Sequence, residues 1–252
     1  MQKQKHRRVV LILQSGGDYH VSDVQLLAHH LHKHYNGDGE LEVLCFFDKI
    51  TDTFKLKNIT LIPALNKTWN KWWCKMNLFS PEMEKYRPYL YMDLDTAIVK
   101  DLQGILPPVG NEDKFITLGG FNESKVDYEK YLLSGMMWFA KDNKKITDVW
   151  NAWIANVEKI QLEFNVGGDQ EFIKSVVANP DVFWNAITDK IANFKPLNGR
   201  IYKDEELGWK QFQRVLDVLP EKAGIVCFHG QPKIPQAIRR VKWVNEYVND
   251  VK

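Results

Sequence analysis

The sequence is poor in several features that would set its class at once. It holds three cysteines, Cys45, Cys74 and Cys227. They are odd in number, far apart and without metal-ligand spacing. This excludes a disulfide framework and a zinc-cysteine site, and the three read as reduced core residues of an intracellular protein. No apolar run approaches the roughly 20 residues of a membrane span. The basic start, Met1 to Arg8, is followed only by the short apolar stretch Val9 to Leu13, too short for a secretory leader. A frayed, solvated terminus is expected there, in a cytoplasmic protein with no transmembrane segment. Charge of one sign is not in excess. A net charge of +2 over 252 residues argues against a nucleic-acid partner. Internal repeats, low-complexity tracts and linkers are missing, so one domain over residues 1–252 is the first expectation and two small domains the second. Neither a G-x-G-x-x-G nor a Walker pattern occurs.

What is present centres on Tyr89 to Thr96, an apolar run that ends in two carboxylates, Asp93 and Asp95. On a buried strand, residues two apart point to the same side. Two carboxylates aimed at one point repel unless a proton or cation lies between them, and Mn²⁺ or Mg²⁺ is the natural occupant. The plainer alternative is a strand-to-loop turn with solvated acids.

In chain order, Val9 to Leu13 reads as a buried parallel strand. The loop Gln14 to Tyr19 follows, with Gly16 and Gly17 inside it. A helix is expected from an N-cap at Ser22 to about His34, with Val24, Leu27, Ala28 and Leu31 on its apolar face. A strand, a Gly-Gly loop and a helix at the start of an α/β chain commonly hold a nucleotide. His29, His30, His32 and His34 avoid the apolar stripe, so they read as a solvated face in preference to a metal site. Leu41 to Phe47 is a second strand, and Asn58 to Leu61 a third, stopped by Pro63. Trp69, Trp72, Trp73, Met76 and Phe79 form a helical face, and Lys75 beside it either snorkels to solvent or aims at a phosphate.

Beyond the acidic pair, Asp101 to Leu106 is expected as a short helix, and Lys114 to Leu118 and Tyr131 to Ala140 as strands. The step Ser134-Gly135 suggests close approach of a ligand or a neighbouring backbone. Asp142 is expected to cap a helix whose stripe of Ile146, Val149, Trp150, Trp153, Ile154 and Val157 is core. Asp169 reads as an N-cap, in a Gly-Gly loop also open enough to present Asp169 and Gln170 to a cleft. Phe194 to Leu197 and Ile225 to Phe228 are late strands, the second ending in His229-Gly230-Gln231-Pro232-Lys233. The tail from Val241 to Val251 is an amphipathic helix.

These pieces fit one diphosphate. An ion on Asp93 and Asp95, joined by His229 and flanked by Lys75 and Lys233, suits departure of a nucleoside diphosphate from a sugar. The chain resembles the GT-A fold nucleotide-sugar glycosyltransferases, closest to the glycosyltransferase family 8 and glycogenin-like group. The matching stretches are Leu13 to Tyr19, Trp72 to Phe79, Tyr91 to Asp101, Ser134 to Trp138, Gly168 to Gln170, and Phe228 to Lys233. The resemblance implies an α/β GT-A fold, with a nucleotide-binding half over 1–100 and an acceptor-side half and C-terminal helix over 101–252. It implies a UDP- or GDP-linked sugar donor and a glycan or protein acceptor. Gln14, Gly16, Asp18, Tyr19, Lys75, Asp93, Leu94, Ser134, Gly135, Gly230 and Lys233 would bind the nucleotide sugar. Asp93 and Asp95 would hold Mn²⁺ or Mg²⁺, with His229, which directly precedes Gly230, taken as the third ligand, and Asp169 and Gln170 would act at the reacting sugar. Three departures stand out: Cys227 occupies the family's metal-histidine position, Ile234 replaces a proline, and Leu133 replaces a polar Asn. Two rivals are a haloacid-dehalogenase-type phosphatase, matched locally by Asp93-Leu94-Asp95-Thr96, and a non-catalytic nucleotide-sugar-binding module. A nucleotidyltransferase on a similar fold lacks its Gly-rich, arginine-bearing start here.

Overall fold

The computed structural model describes residues 6–14, 17–47, 57–63, 68–69, 71–121, 128–196, 199–204 and 209–251. Strand β1 (His6–Leu13) leads to helix α1 (Val21–His34), then β2 (Glu40–Phe47) and β3 (Ile59–Pro63). Two 3₁₀ helices, Lys71–Phe79 and Pro81–Tyr86, precede β4 (Tyr89–Met92) and β5 (Thr96–Ile98). Then come β6 (Ile116–Gly119), β7 (Leu132–Phe139), α2 (Lys144–Ala155), α3 (Val157–Glu163) and α4 (Gly168–Val177). The last part carries β8 (Val182–Phe183), α5 (Trp184–Ile187), β9 (Ile191–Asn193), the hairpin β10 (Arg200–Asp204) and β11 (Trp209–Val215), β12 (Ile225–Cys227), α6 (Ile234–Ala237) and α7 (Lys242–Asn249).

The main sheet has the order β3-β2-β1-β4-β7-β6-β8. The pairings make β7 its single antiparallel member. The strand order reverses at β1, which has β2 on one side and β4 on the other. In open α/β sheets a ligand crevice forms at such a reversal, beyond the carboxyl ends of the strands. Gln14 follows one of those ends and Asp93 the other. A smaller sheet, β5-β12-β9, begins one residue after Asp95.

Strand alternation explains the two core layers. Val9, Leu11 and Leu13 face α1 and pack with Val24, Leu27 and Leu31. Val10 faces the opposite layer with Trp73, Met76, Trp153 and Phe172. That layer is aromatic: the indole of Trp153 stacks on Trp73 with centroids 5.0 Å apart, and Trp69 meets it edge-on at 5.2 Å. Phe194, Phe228, Trp243 and Val244 form a third cluster beneath the smaller sheet.

Several local expectations shift. Helix α1 starts one residue before Ser22, because the Asp23 carboxylate accepts the His20 N–H at 2.7 Å. His30 is buried against Tyr247, so the histidines do not form a wholly solvated face. Pro63 ends β3 as a paired residue of an edge strand, where its missing N–H costs nothing. The tryptophan helix is 3₁₀, and its tighter winding leaves Trp72 at 37% exposure while Trp69 and Trp73 are buried. Residues 101–106 form turns and no helix: Asp101 accepts from the Gln103 N–H, and Gly104 has a φ of +82°. Asn143, not Asp142, caps α2, accepting from the Lys145 N–H at 3.0 Å. The expected stripe breaks at Asn156, so Ile154 is half exposed. Gly167 takes the cap position that Asp169 was expected to hold, and Asp169 lies inside the first turn of α4. The strand expected at Phe194 lies earlier, over Ile191–Asn193.

Candidate active site

The apolar run of β4 delivers Asp93 to the crevice. The Asp93 N–H donates to the Gly135 carbonyl at 2.8 Å, which locks the end of β4 to β7. One carboxylate oxygen accepts from the Tyr91 hydroxyl, and Lys75 Nζ donates to the carboxylate at 3.0 Å. Lys75 also donates to Ser134 Oγ at 3.1 Å and lies 3.8 Å from Asp169 Oδ2. Lys75 is 9% exposed and Asp169 is 2% exposed, so this lysine does not snorkel to solvent. Burial alone would lower the lysine's pKa, but Asp169 and Asp93 outweigh it and hold the ammonium charged. Burial raises the pKa of Asp169, and Lys75 opposes the rise.

Asp95 turns to a different cation. Lys233 Nζ donates to its carboxylate and, at 2.7 Å, to the Tyr19 hydroxyl. The ammonium also lies 5.3 Å from the Tyr19 ring centroid. Strand β5 places Asp95 next to the C-terminal motif, because β5 pairs with β12 and the Phe228 N–H donates to the Asp95 carbonyl at 2.8 Å. His229 follows at once. Its Nε2 is buried with no hydrogen-bond partner among the described residues, and its ring lies 5.1 Å from that of Phe121. A Cβ on Gly135 would come within 3.2 Å of His229 Cε1 and 3.3 Å of Asp93 Oδ2, so this position must be small for both groups to approach. The expected ligands Asp93, Asp95 and His229 do not close to a triad. Among the described residues the one set of three such groups within 4.8 Å is His29, His30 and Asp250, elsewhere in the chain. Instead each aspartate is neutralised by its own lysine.

A cavity of about 530 Å³ opens beside Asp95. It is lined by Asp18, Tyr19, Leu94 and Lys233 from the expected set, and by Gln231 and Arg239. Gln14 stands at its strand end and donates to the Trp69 carbonyl at 3.3 Å. Gly16 lies outside the described residues. Gly230 has a φ of +62°, which a glycine adopts freely, and a Cβ there would meet Lys195 Nζ at 3.2 Å. Gly168 has the same φ, and a Cβ there would strike the Trp72 indole at 2.6 Å. Gln170 is half-buried in the first turn of α4. Cys227 is buried inside β12, and burial, then Asp95 and Asp93, push its thiol pKa up, so it stands there as a thiol.

Tyr91, Lys195 and Arg239 were not anticipated. Lys195 donates to the Gln231 carbonyl at 3.0 Å, beside Lys233. Tyr91 was legible as the residue two before Asp93 on the same strand face. A single lysine or arginine in a loop carries no sequence signal of its own.

No protein-family model matches the sequence, and no curated relative matches it. Solved structures do match. The apo form of the glycosyltransferase GlyE of Streptococcus pneumoniae TIGR4 superposes with a TM-score of 0.60 at 13% identity, over 97% of this chain and 60% of its own. The galactosyltransferase LgtC, solved with donor and acceptor sugar analogs, gives 0.59 at 12% identity, over 96% of this chain and 95% of its own. Mouse xyloside xylosyltransferase 1 gives 0.52 at 9% identity, over 89% and 98%. The chain thus spans about 60% of the length of GlyE, and its fold is the GT-A fold of these enzymes.

Proposed function

We propose that the protein is a divalent-cation-dependent glycosyltransferase that moves a sugar from a UDP- or GDP-linked donor to a hydroxyl of a glycan or protein acceptor. The observation that carries this reading is the pairing at the crevice. Asp93 with Lys75 and Asp95 with Lys233 set two acids and two cations at the carboxyl end of a central strand, beside a cavity of about 530 Å³. That volume suits a ligand of nucleotide-sugar size. The likeness of fold to glycosyltransferases supports the same reading.

The donor types suit a dication, which would have to displace Lys75 and Lys233 from the two aspartates. Asp93 and Asp95 would then supply carboxylate oxygens, and the buried Nε2 of His229, without a hydrogen-bond partner among the described residues, would supply a nitrogen. Bound Mn²⁺ or Mg²⁺ would offset the charge that builds on a departing diphosphate. The chain's own residues do the rest. Lys233 and Lys195 border the Gly230 turn, where a backbone without a side chain admits a phosphate closely. Tyr19 steadies Lys233, and Asp18 and Leu94 line the nucleotide side of the cavity. Asp169 is a positioning residue: it is buried and holds the Lys75 ammonium toward Asp93. Gln170, one residue on and half-buried, is the better candidate to touch the donor sugar.

The test is a panel of UDP- and GDP-sugars assayed for Mn²⁺-dependent donor hydrolysis and transfer, with the product anomer read by NMR. Asp95→Asn is expected to cut turnover by at least about 100-fold, as loss of one electrostatic contributor does. Its circular dichroism spectrum should stay unchanged. Full activity in that variant would remove Asp95 from the site. Tight donor binding without turnover would establish the binding-module alternative. Release of phosphate from simple esters would revive the phosphatase.

A further inference from the structure

A second polar cluster lies where α1 meets the end of α7, and none of its residues lines the cavity beside Asp95. His30 is 2% exposed and stacks on the Tyr247 ring with centroids 3.8 Å apart. Its Nε2 lies 2.8 Å from the Tyr247 carbonyl oxygen. A carbonyl only accepts, so Nε2 carries the proton and Nδ1 keeps a bare lone pair. That Nδ1 is buried and has no hydrogen-bond partner among the described residues. It faces Asp250 Oδ2 at 3.7 Å, and His29 Nε2 lies 3.5 Å from the same oxygen.

We propose that His29, His30 and Asp250 form a binding site for a transition-metal dication of the Zn²⁺ type, joining helix α1 to the C-terminal helix. The proposal does not depend on the sugar-transfer reading. A lone pair turned toward a carboxylate is unfavourable unless a proton or a cation lies between them. Burial lowers the His30 pKa to about 4, with His29 and His34 acting in the same direction and the Tyr247 carbonyl and Asp250 opposing it. A metal ion meets both groups at once. Zinc–nitrogen and zinc–oxygen bonds of about 2.0–2.2 Å set tetrahedral ligand edges of about 3.4 Å, close to the separations found. One ligand atom from each of the three residues already lies within 4.8 Å of the others. The bond from His30 Nε2 to a backbone carbonyl is the usual outer-shell support of a metal-binding imidazole. Two imidazoles and one carboxylate favour zinc over magnesium or calcium and leave one position for water.

Lys33 is the resident competitor, with its Nζ 2.5 Å from Asp250 Oδ2. His34 stacks on His30 at 5.9 Å and adds no carboxylate. The site therefore binds metal against a lysine, and removing that lysine should tighten it.

Cobalt is the probe. Titration of the full chain with Co²⁺ should produce the visible bands of four-coordinate cobalt, displaced by Zn²⁺. His29→Ala and Asp250→Asn should each weaken binding by at least about tenfold. Both side chains are partly solvent-exposed, 40% and 33%, so neither change opens the core. Lys33→Ala should strengthen binding, a change that a packing role for the cluster would not produce. Under the proposed function the crevice would also take cobalt, so the titrations are run in an Asp95→Asn background, where the bands should persist. In that background, bands that survive His29→Ala and Asp250→Asn, or no bands at all, would overturn the proposal.

Discussion

Lys75 offers the most demanding test of how the crevice is held. Its ammonium lies 3.0 Å from the Asp93 carboxylate and 3.8 Å from that of Asp169, with Ser134 Oγ at 3.1 Å. At an effective dielectric of about 20, those two charge pairs attract by roughly 5 and 4 kcal/mol before desolvation is subtracted. Lys75→Met keeps the aliphatic stem and removes the charge. The gain on the lysine side is relief from desolvation, but buried Asp169 then loses its compensating cation. Removing one partner of a buried pair costs about 3–5 kcal/mol. For a chain of this size each kcal/mol lowers the melting temperature by about 2–4 °C, so a fall of roughly 6–20 °C is expected in calorimetry. The double variant Lys75→Met/Asp169→Asn removes the orphaned charge as well. It should recover much of the loss, with a coupling of about 2 kcal/mol between the two positions. A Lys75→Met protein melting within about 2 °C of the parent would refute the reasoning. So would strictly additive losses in the double variant, which would mean that the two groups do not interact.

Three further outcomes follow from other sites. Gly168→Ala places a Cβ against the Trp72 indole at a φ of +62°, so it should cost roughly 1–2 kcal/mol and shift the tryptophan fluorescence as Trp72 is displaced; an unchanged emission and melting curve would contradict it. Burial pushes the Cys45 and Cys74 thiols up to about 12, and Cys227 is raised as well. A thiol-exchange titration of the native protein at pH 8 should therefore register slow reaction, and three thiols should appear on unfolding. Asp181 accepts from the Phe115 N–H at 2.8 Å and pairs with Lys145 at 3.0 Å. Burial alone would raise its pKa, but these bonds, with one from Asn143, hold it below the usual carboxylate range. Its contribution is thus full above about pH 4, the unfolded value, and fades as pH falls through the lower folded value. The stability gap between parent and Asp181→Asn in urea melts should be about 1–3 kcal/mol at pH 7 and close toward pH 3.

The elements that were legible are those whose period decides them. Val9 to Leu13, Leu41 to Phe47, Tyr89 to Met92 and the α1 stripe appear where apolar runs and the 3.6-residue repeat put them. The misses lie where local chemistry competes. Gly104 with Asp101 favours turns over a helix, and Asn156 breaks a stripe that continues in sequence. The hairpin 200–215 carries no clean alternation and was passed over. Within the site, Asp93, Asp95, Lys75 and Lys233 could each be picked out by type, but not their pairing. Lys75 and Asp93 are 18 residues apart, and Lys233 and Asp95 are 138 apart. Which acid takes which lysine is decided by tertiary geometry that no window of sequence contains. His30 shows the opposite case. Its neighbours His29, His32 and His34 look alike in sequence, and only the packing of Tyr247 selects it for burial.

The small sheet has a consequence for how the protein is made. Its middle strand, β12, is the last strand in the chain, yet it sits between β5 and β9 and brings Lys233 to Asp95. During synthesis the main sheet can assemble through β8 while Asp95 still lacks its partner and one edge of β5 stands open. Contacts between such distant parts of a chain form slowly, because loop-closure entropy is spent before any contact is gained. The crevice therefore closes late on the ribosome, and a nascent chain ending before residue 225 would lack Lys233 and carry an incomplete pocket.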